Sequence, residues 1–444
     1  MDLSTLRRDV SGPVHSRGDD GFAAALAAYA APGPAVIVQA LEESDVVAAV
    51  RFAAAEGLRV AVRSGGHAGP IFSPAADRLL LDLHGLSSIV VAPDSDTVTV
   101  GPGATWGDVA ATVQEHGLAI SSGDTAAVGV GGLAVGGGIG WLIRRDGLAL
   151  DSIVSVDVVL ASGELVTASD DENPELFWAI RGGGGNFGVV TAFRFRAHPL
   201  GRVLGVELHL DASRLGETLR ALRELMLVAP EELNATFAVI PNGPPGPDFA
   251  FVHHIVAVYA AEDSPESRAA IAPLLALPGV VDSTVTPSDY RGLLAELPGG
   301  PGAPIPNVAV RDALLETFDD AAIDAVLAAR GALGPSVFTV RFLGGAFGRV
   351  PVDATAFAHR NAEVIANIVE FLPPGAPDTA GRVSEVWAPV AALSLGSYGN
   401  FTSEVGPHVV AAMYPPATLA RLRATKTVYD PQNRFADNEN IAPS

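Results

Sequence analysis

Cysteine is absent from the 444 residues, which excludes disulfides, thiolate metal sites, iron–sulfur clusters and cysteine nucleophiles. Lysine occurs once, as Lys426, and arginine supplies the remaining positive charge. Only 28 basic residues face 50 acidic ones, a formal net charge of −22. A surface this acidic repels phosphate backbones and anionic membranes, arguing against nucleic acid, a membrane or a polyanionic substrate as partner. Long hydrophobic runs are missing too: Gly, Pro or a charge interrupts each apolar stretch well before the ~18 residues of a membrane span. The N-terminal segment MDLSTLRRDVSGPVHSRGDDGF lacks an apolar core of signal-peptide length, so a cytoplasmic location is expected. HExxH, EF-hand, GxxxxGK[ST] and GxSxG patterns do not occur and the 10 histidines are scattered. No metal site, P-loop chemistry or hydrolase elbow is therefore expected.

What is present reads as globular: 48% hydrophobic and 18% charged residues, over a length beyond the ~250–300 residues at which one core stops growing. Two domains are the default. In the first 200 residues, short β-like runs alternate with helices. Strands are predicted at 35–39, 59–63, 78–82, 97–100 and 187–195, and a hairpin at 155–168. Ser44 is a candidate cap for a helix that Gly57 ends; residues 105–116 form another, closed by Gly117. Asn173 and Pro174 open a third, as N-cap and first helical residue. Beyond Gly201 the strands lengthen, at 234–240, 249–259 and 337–343, with helices expected at 214–228, 319–330 and 354–371. Strands with interspersed helices imply an α+β domain on a largely antiparallel sheet. The chain after Phe401 turns helical and ends in a polar, Asn-rich tail.

Three glycine-rich stretches stand in the first domain: RSGGHAG (63–69), GVGGLAVGGGIG (129–140) and RGGGGNFG (181–188). Glycine lets backbone approach a ligand closely and aims several N–H groups at one anion. One cluster reads equally well as a tight turn; three favour a phosphate-bearing cofactor. GVGGLA fits the dinucleotide fingerprint formally, but Gly136, Gly137 and Gly138 follow where that motif needs a helix.

With these motifs the sequence resembles the berberine-bridge-enzyme-like branch of the vanillyl-alcohol-oxidase (PCMH-type) FAD oxidoreductases. The resemblance runs through VAVRSGGHAG (60–69), VGVGGLAVGGGIGWLIRRDGLALD (128–151), ENPELFWAIRGGGGNFGVVTAF (172–193) and YPPATLARLRATKTVYDPQNRFADNENIAP (414–443). It implies a two-domain α+β fold with a split FAD domain: residues 1–200 bind FAD, 201–400 form the substrate domain, and 401–444 return to the FAD domain. The loop Arg63, Ser64, Gly65, Gly66, His67, Ala68 and Gly69 would hold the pyrophosphate, with His67 bonded to the flavin 8α-methyl. The plainer alternative is a histidine filling a glycine-walled turn. The second attachment in the family is a cysteine; Thr125 stands there, so a single covalent link is implied. Val128 occupies a position that the family associates with oxygen access, implying an oxidase with O2 as acceptor. Gly129, Gly131, Gly132, Gly136, Gly137, Gly138, Ile139 and Val190 complete the implied FAD contacts, joined by Asn438 and Asn440 from the tail.

Oxidising an alcohol or amine removes a proton from O or N while a hydride leaves carbon. The family's YxNY motif reads Tyr398–Gly399–Asn400–Phe401 here, without the last hydroxyl. Tyr398 and Asn400 survive; Glu385, His253 and His254 are substitutes for the proton-transfer group. Adjacent strand residues face opposite sides, so at most one of the two histidines reaches the cleft. The expected activity is oxidation of a small alcohol, sugar or amine. A dehydrogenase or oxidative-cyclisation enzyme is the alternative, and a flavin binder without turnover is one of another class.

Overall fold

The computed structural model describes residues 1–26, 33–68, 75–93, 95–242, 250–296, 308–333, 336–372, 379–437 and 439–444. Strands β1 (Val14–Ser16), β2 (Val36–Gln39), β3 (Arg59–Arg63) and β4 (Arg78–Asp82) form a first sheet, ordered β1-β2-β4-β3. β2, β4 and β3 run parallel. Parallel strands are covered on both faces, and Val36, Ile37, Val38, Leu79 and Leu81 are accordingly buried. Helix Glu43–Glu56 crosses from β2 to β3 and ends on Gly57 at φ 69°. Its start departs from expectation: Glu42, not Ser44, holds the cap position and makes no side-chain cap. Buried Asp45 instead ties down the entering chain, accepting the N–H groups of Ser11 at 2.7 Å and Leu41 at 2.9 Å.

Next come β5 (Ile89–Val91), β6 (Thr97–Val100), β7 (Leu118–Ala119), β8 (Ile153–Val159), β9 (Leu165–Ser169), β10 (Val189–Arg196) and β11 (His198–Pro199). β7 pairs with β11; the others make an antiparallel sheet ordered β5-β6-β10-β8-β9. The predicted hairpin is β8–β9. Thr105 caps helix Trp106–Gln114, accepting the Asp108 N–H. Pro174 does open helix Pro174–Gly183, but Asn173 is left-handed at φ 49° and its Nδ2 donates to the Thr167 carbonyl instead of its Oδ1 capping the helix.

The third sheet has eight strands: β12 (Val203–Leu210), β13 (Leu233–Pro241), β14 (Phe251–Tyr259), β15 (Val280–Ser288), β16 (Val308–Leu315), β17 (Ser336–Phe342), β18 (Val364–Phe371) and β19 (Ser394–Gly396). Their order is β15-β12-β14-β13-β17-β18-β16-β19, antiparallel throughout. Helices Leu215–Val228, Pro265–Leu275, Asp320–Ala332 and Thr379–Ala391 cover one face, burying Phe237, Phe338, Val340, Ala366 and Trp387. The helix expected over 354–371 does not form: the stretch before residue 364 is turns and bends, and residues 364–371 are β18. Its sequence VIANIVEF alternates, Val364, Ala366 and Ile368 going to the helix-covered face, and it bonds to β16 and β17 on both sides. A helix there would strip two strands of their partner, so tertiary pairing overrides local propensity.

The sheet's other face looks toward the first two sheets. Arg341 on β17 reaches across to make a bidentate pair with Asp124, with its guanidinium 4.4 Å from the Trp141 ring. Helices Pro407–Met413 and Pro416–Tyr429 lead into the tail. There the Arg434 carbonyl accepts the Val60 N–H at 2.9 Å and Phe435 enters the core of the first sheet. Lys426, fully buried, donates to the Asn186 carbonyl (2.6 Å), Asp430 (2.7 Å) and the Phe435 carbonyl (2.9 Å). No helix among the described residues is long and apolar enough to cross a membrane.

Candidate active site

One wall of the cleft is nearly bare backbone. The loop after β3 lies against the turn before helix Val130–Gly136, with Gly65 packed on Gly129: a Cβ on either would overlap the other's amide. Ser64 bridges the two, donating to the Pro102 carbonyl at 2.6 Å and accepting the Gly131 N–H at 3.2 Å. Gly66 is left-handed at φ 73°. A Cβ on Gly132 would meet nothing within 4 Å, so this stretch borders open space. That helix takes in Gly131 and Gly132 but stops at Gly137, φ 152°, so Gly136–Gly138 do end it where a dinucleotide fingerprint would continue.

His67 is half-buried beside this seam. Burial holds its imidazole below the ordinary value, against a hydrogen bond to the Ala127 backbone that favours the charged form, so the ring is neutral near pH 7. Ala68 is exposed and Arg63 is not free for a ligand: its guanidinium is buried and pairs with Asp82 at 2.6 Å. Gly69 and Asn438 lie outside the described residues. Thr125 and Val128 are half-buried, while Ile139 and Val190 are buried in the core around the second sheet. Asn440 presents a buried Oδ1 without a hydrogen-bond partner, an unmet acceptor suited to a ligand amide or hydroxyl. The glycine seam and this orphan acceptor fit a large phosphate-bearing cofactor.

The third glycine stretch has another use. Gly182, at φ 116°, packs on the backbone of Ala356 and Phe357, and Gly183 on Phe187 and Leu422. Asn186 donates to the Glu439 carbonyl and accepts the Ile441 N–H at 3.0 Å, fastening the tail. Gly182 and Gly183 thus serve close packing.

Gly136, Gly137 and Gly138 receive the YxNY remnant. A Cβ on Gly136 would strike the Asn400 amide, and one on Gly137 the Tyr398 ring. Tyr398 Oη accepts two hydrogen bonds, from the Gly138 N–H at 2.8 Å and from Asn400 Nδ2 at 2.7 Å. Phe401 stands edge-on to Tyr398, ring centroids 5.1 Å apart. Burial pushes the Tyr398 phenol up to about 12, although both donors pull it down. Beneath it lies Asp312 on β16, which the sequence reading missed. Its carboxylate accepts the Ser397 hydroxyl at 2.6 Å and the Tyr398 N–H at 2.7 Å, and burial raises it to about 7. An isolated aspartate in VAVRDALL carries no motif; only the alternation, which buries a charge beside apolar neighbours, could have flagged it.

Glu385 is not brought here. It is exposed on helix Thr379–Ala391, whose Val383, Trp387 and Val390 pack under the far face of the eight-stranded sheet. The histidine pair splits as alternation requires: His254 is buried on the inner face, while His253 points to the helix side, where Arg330 lowers its proton affinity further below what burial alone does.

The opposite wall is the inner face of that sheet. Register aligns Asp282, His209, His254, Ala238, Thr339, Asn367 and Asp312 in one row across seven strands, with Thr339 hydrogen-bonded to Asn367. Alongside runs an aliphatic row: Val252 beside Ile240, then Val337, Val369 and Val310. All five are half-buried and belong to no core cluster. Tyr398 and Asn400 thus sit where a glycine wall meets one end of a polar row flanked by aliphatics.

The FAD binding domain family matches residues 34–169, and the "berberine and berberine like" family matches residues 397–442. The chain is 30% identical to (R)-6-hydroxynicotine oxidase of Paenarthrobacter nicotinovorans, over 92% of this chain and 91% of that one. Among solved structures, a chitooligosaccharide oxidase superposes with TM-score 0.86 at 25% identity, covering 99% of both chains. Xylooligosaccharide oxidase from Myceliophthora thermophila C1, in complex with xylobiose, gives TM-score 0.86 at 27% identity over 99% of this chain and 98% of that one. The chain belongs to the berberine-bridge-enzyme-like family of PCMH-type flavoproteins and is an FAD-dependent oxidoreductase.

Proposed function

We propose that this chain is an oxidase of small alcohols, sugars or amines, with FAD held through a single covalent link at His67 and O2 as electron acceptor. The observation that carries the reading is the convergence of Tyr398 and Asn400 on the glycine wall, at the foot of the polar row. In this reading residues 1–200 and 401–444 hold the cofactor and 201–400 the substrate, supported by the first two sheets falling within one range and the eight-stranded sheet within the other. Ser64, Gly65, Gly66, Gly129, Gly131 and Gly132 would cradle FAD, with Asn440 as a further contact. When bound, FAD accepts a hydride from the substrate carbon.

The residues of the chain do the rest. With two donors already on its oxygen, the Tyr398 phenol turns its own O–H outward and can hold the substrate's oxygen or nitrogen. The same two donors stabilise the phenolate that would take a proton there. Asp312 positions Tyr398 by gripping its backbone N–H. The aliphatic row excludes water along the substrate body and suits a compact, largely apolar molecule better than an extended glycan. Neutral imidazole is a competent nucleophile, which supports attachment at His67; threonine at 125 supports one link rather than two.

The test has two arms. Anaerobic flavin reduction across alcohols, amines and sugars, followed by mixing with air, should show a substrate that bleaches the flavin and rapid reoxidation that Val128→Leu slows. Slow reoxidation in both proteins would assign a dehydrogenase instead. Acid precipitation should leave the flavin with the protein, and mass spectrometry should find a single FAD on the His67 peptide. Flavin lost to the supernatant overturns the covalent link alone.

A further inference from the structure

The inner face of the eight-stranded sheet carries a second polar cluster, which the proposed oxidation does not use. Glu207 and His209 are two residues apart on β12, so their side chains leave the same face. His254 stands directly opposite His209 on β14. One ligating atom from each of the three lies within 4.8 Å of the others, which no other group of three described His, Asp or Glu residues achieves. His254 is 4% exposed, and its Nδ1 is 3.0 Å from Glu207 Oε1. That contact meets one ring nitrogen only; the other, Nε2, is buried and has no hydrogen-bond partner. The His209 ring is no substitute: it lies 4.5 Å from that of His254, tilted by 54°. A buried imidazole left so costs free energy that an ion between the three groups would recover.

We infer that Glu207, His209 and His254 form a binding site for a divalent transition metal ion, with Zn2+ the natural match. Two imidazoles and one carboxylate are a borderline-soft donor set suited to tetrahedral Zn2+, which needs three protein ligands and one open position. Water can take the fourth place, or Asp282, which stands opposite His209 on β15 and is exposed. The chain's −22 charge favours any cation at this face. His254 is four strands from Asp312 along the row, roughly 19 Å at the ordinary strand spacing, so the site is separate from the Tyr398 centre and does not depend on the oxidase reading. The sequence concealed it because its ligands come from strands far apart in the chain.

Full-length protein, dialysed against chelator, is titrated with Zn2+ in a calorimeter, and with Co2+ while the absorption beyond the flavin bands is followed. Wild type should take up one equivalent, and Co2+ should give the visible bands of a tetrahedral complex. His254→Ala, His209→Ala and Glu207→Gln should each weaken binding at least about tenfold, since even outer-shell changes at metal sites have effects of that size. Glu207 and His209 are half-exposed, so their variants keep the fold if His254→Ala does not, and thermal melting by circular dichroism verifies this. Absence of stoichiometric uptake by wild type overturns the site. So does uptake that the Glu207 and His209 variants leave unchanged, because the ion would then bind elsewhere.

Discussion

The two walls of the cleft are made of different material. On the proposed FAD side, Gly65 meets Gly129, Gly136 meets Asn400 and Gly137 meets Tyr398, with no room for a single added carbon. On the proposed substrate side, the inner-face positions of β14, β13, β17, β18 and β16 carry side chains, largely polar in one row and aliphatic in the next. Backbone contacts tolerate no substitution, whereas side chains standing off a finished sheet can be exchanged without disturbing it. The cofactor wall should therefore fail as a unit, and the substrate wall should respond residue by residue.

Tyr398 spans both walls and is where the contrast can be broken most sharply. Tyr398→Phe should slow flavin reduction by substrate about 10²–10⁴-fold, the usual contribution of a proton-transfer group, with flavin content unchanged. A loss below about tenfold in stopped-flow measurements moves proton transfer away from this residue. Gly129→Ala tests the backbone wall. Overpacking of this kind costs about 1–3 kcal/mol, enough to cut the flavin taken up by the protein during expression by about tenfold. Wild-type flavin content, read from the 450 nm region of the spectrum, would show that the seam yields.

Val337→Ser and Val369→Ser test the other wall. Losing about two methyl-sized groups of apolar contact is worth about 1.5 kcal/mol, so KM for a compact substrate should rise up to about tenfold while flavin content holds. A rise of equal size for a glycan substrate would argue against an apolar subsite. The smallest effect concerns Asp312. Its folded value of about 7 lies above the ordinary 3.8, so the folded state binds the proton more tightly. The stability it lends is complete below about pH 4 and is lost as pH climbs to 7. The melting temperature of wild type minus that of Asp312→Asn should thus fall by a few degrees between pH 4 and 8. A flat or rising difference would falsify the buried, proton-binding carboxylate.

The same contrast explains what could be read from the sequence. Glycine at fixed spacing is visible in one dimension, so the two halves of the glycine seam, RSGGHAG and GVGGLAVGGG, are legible in the sequence. Strands 59–63 and 78–82 were equally plain, being apolar runs bounded by charge. The substrate wall was opaque because its rows exist only after seven distant segments are laid side by side. Asp312 and Asn367 mean nothing singly. Residues 364–371 mix alanine and β-branched residues, and only their two neighbouring strands decide between helix and strand. Glu385 was a plausible base by composition, yet the helix that carries it presents Trp387 to the sheet and Glu385 to water. RGGGGNFG was legible as glycine but not as packing, since its partners at 356, 357 and 422 are remote in sequence.

Lys426 fastens the returning tail and is the chain's only lysine, with no exposed surface and three hydrogen-bond acceptors around its ammonium. Amine-directed reagents therefore find no reactive lysine side chain on the folded protein, only its exposed N-terminal amine. The residue becomes a clock instead. An acylating ester can reach it only while helix Pro416–Tyr429 has lifted away from Asn186 and the tail around Phe435 has opened. The rate at which mass spectrometry sees that one peptide modified counts the openings of the latch, without any engineered label.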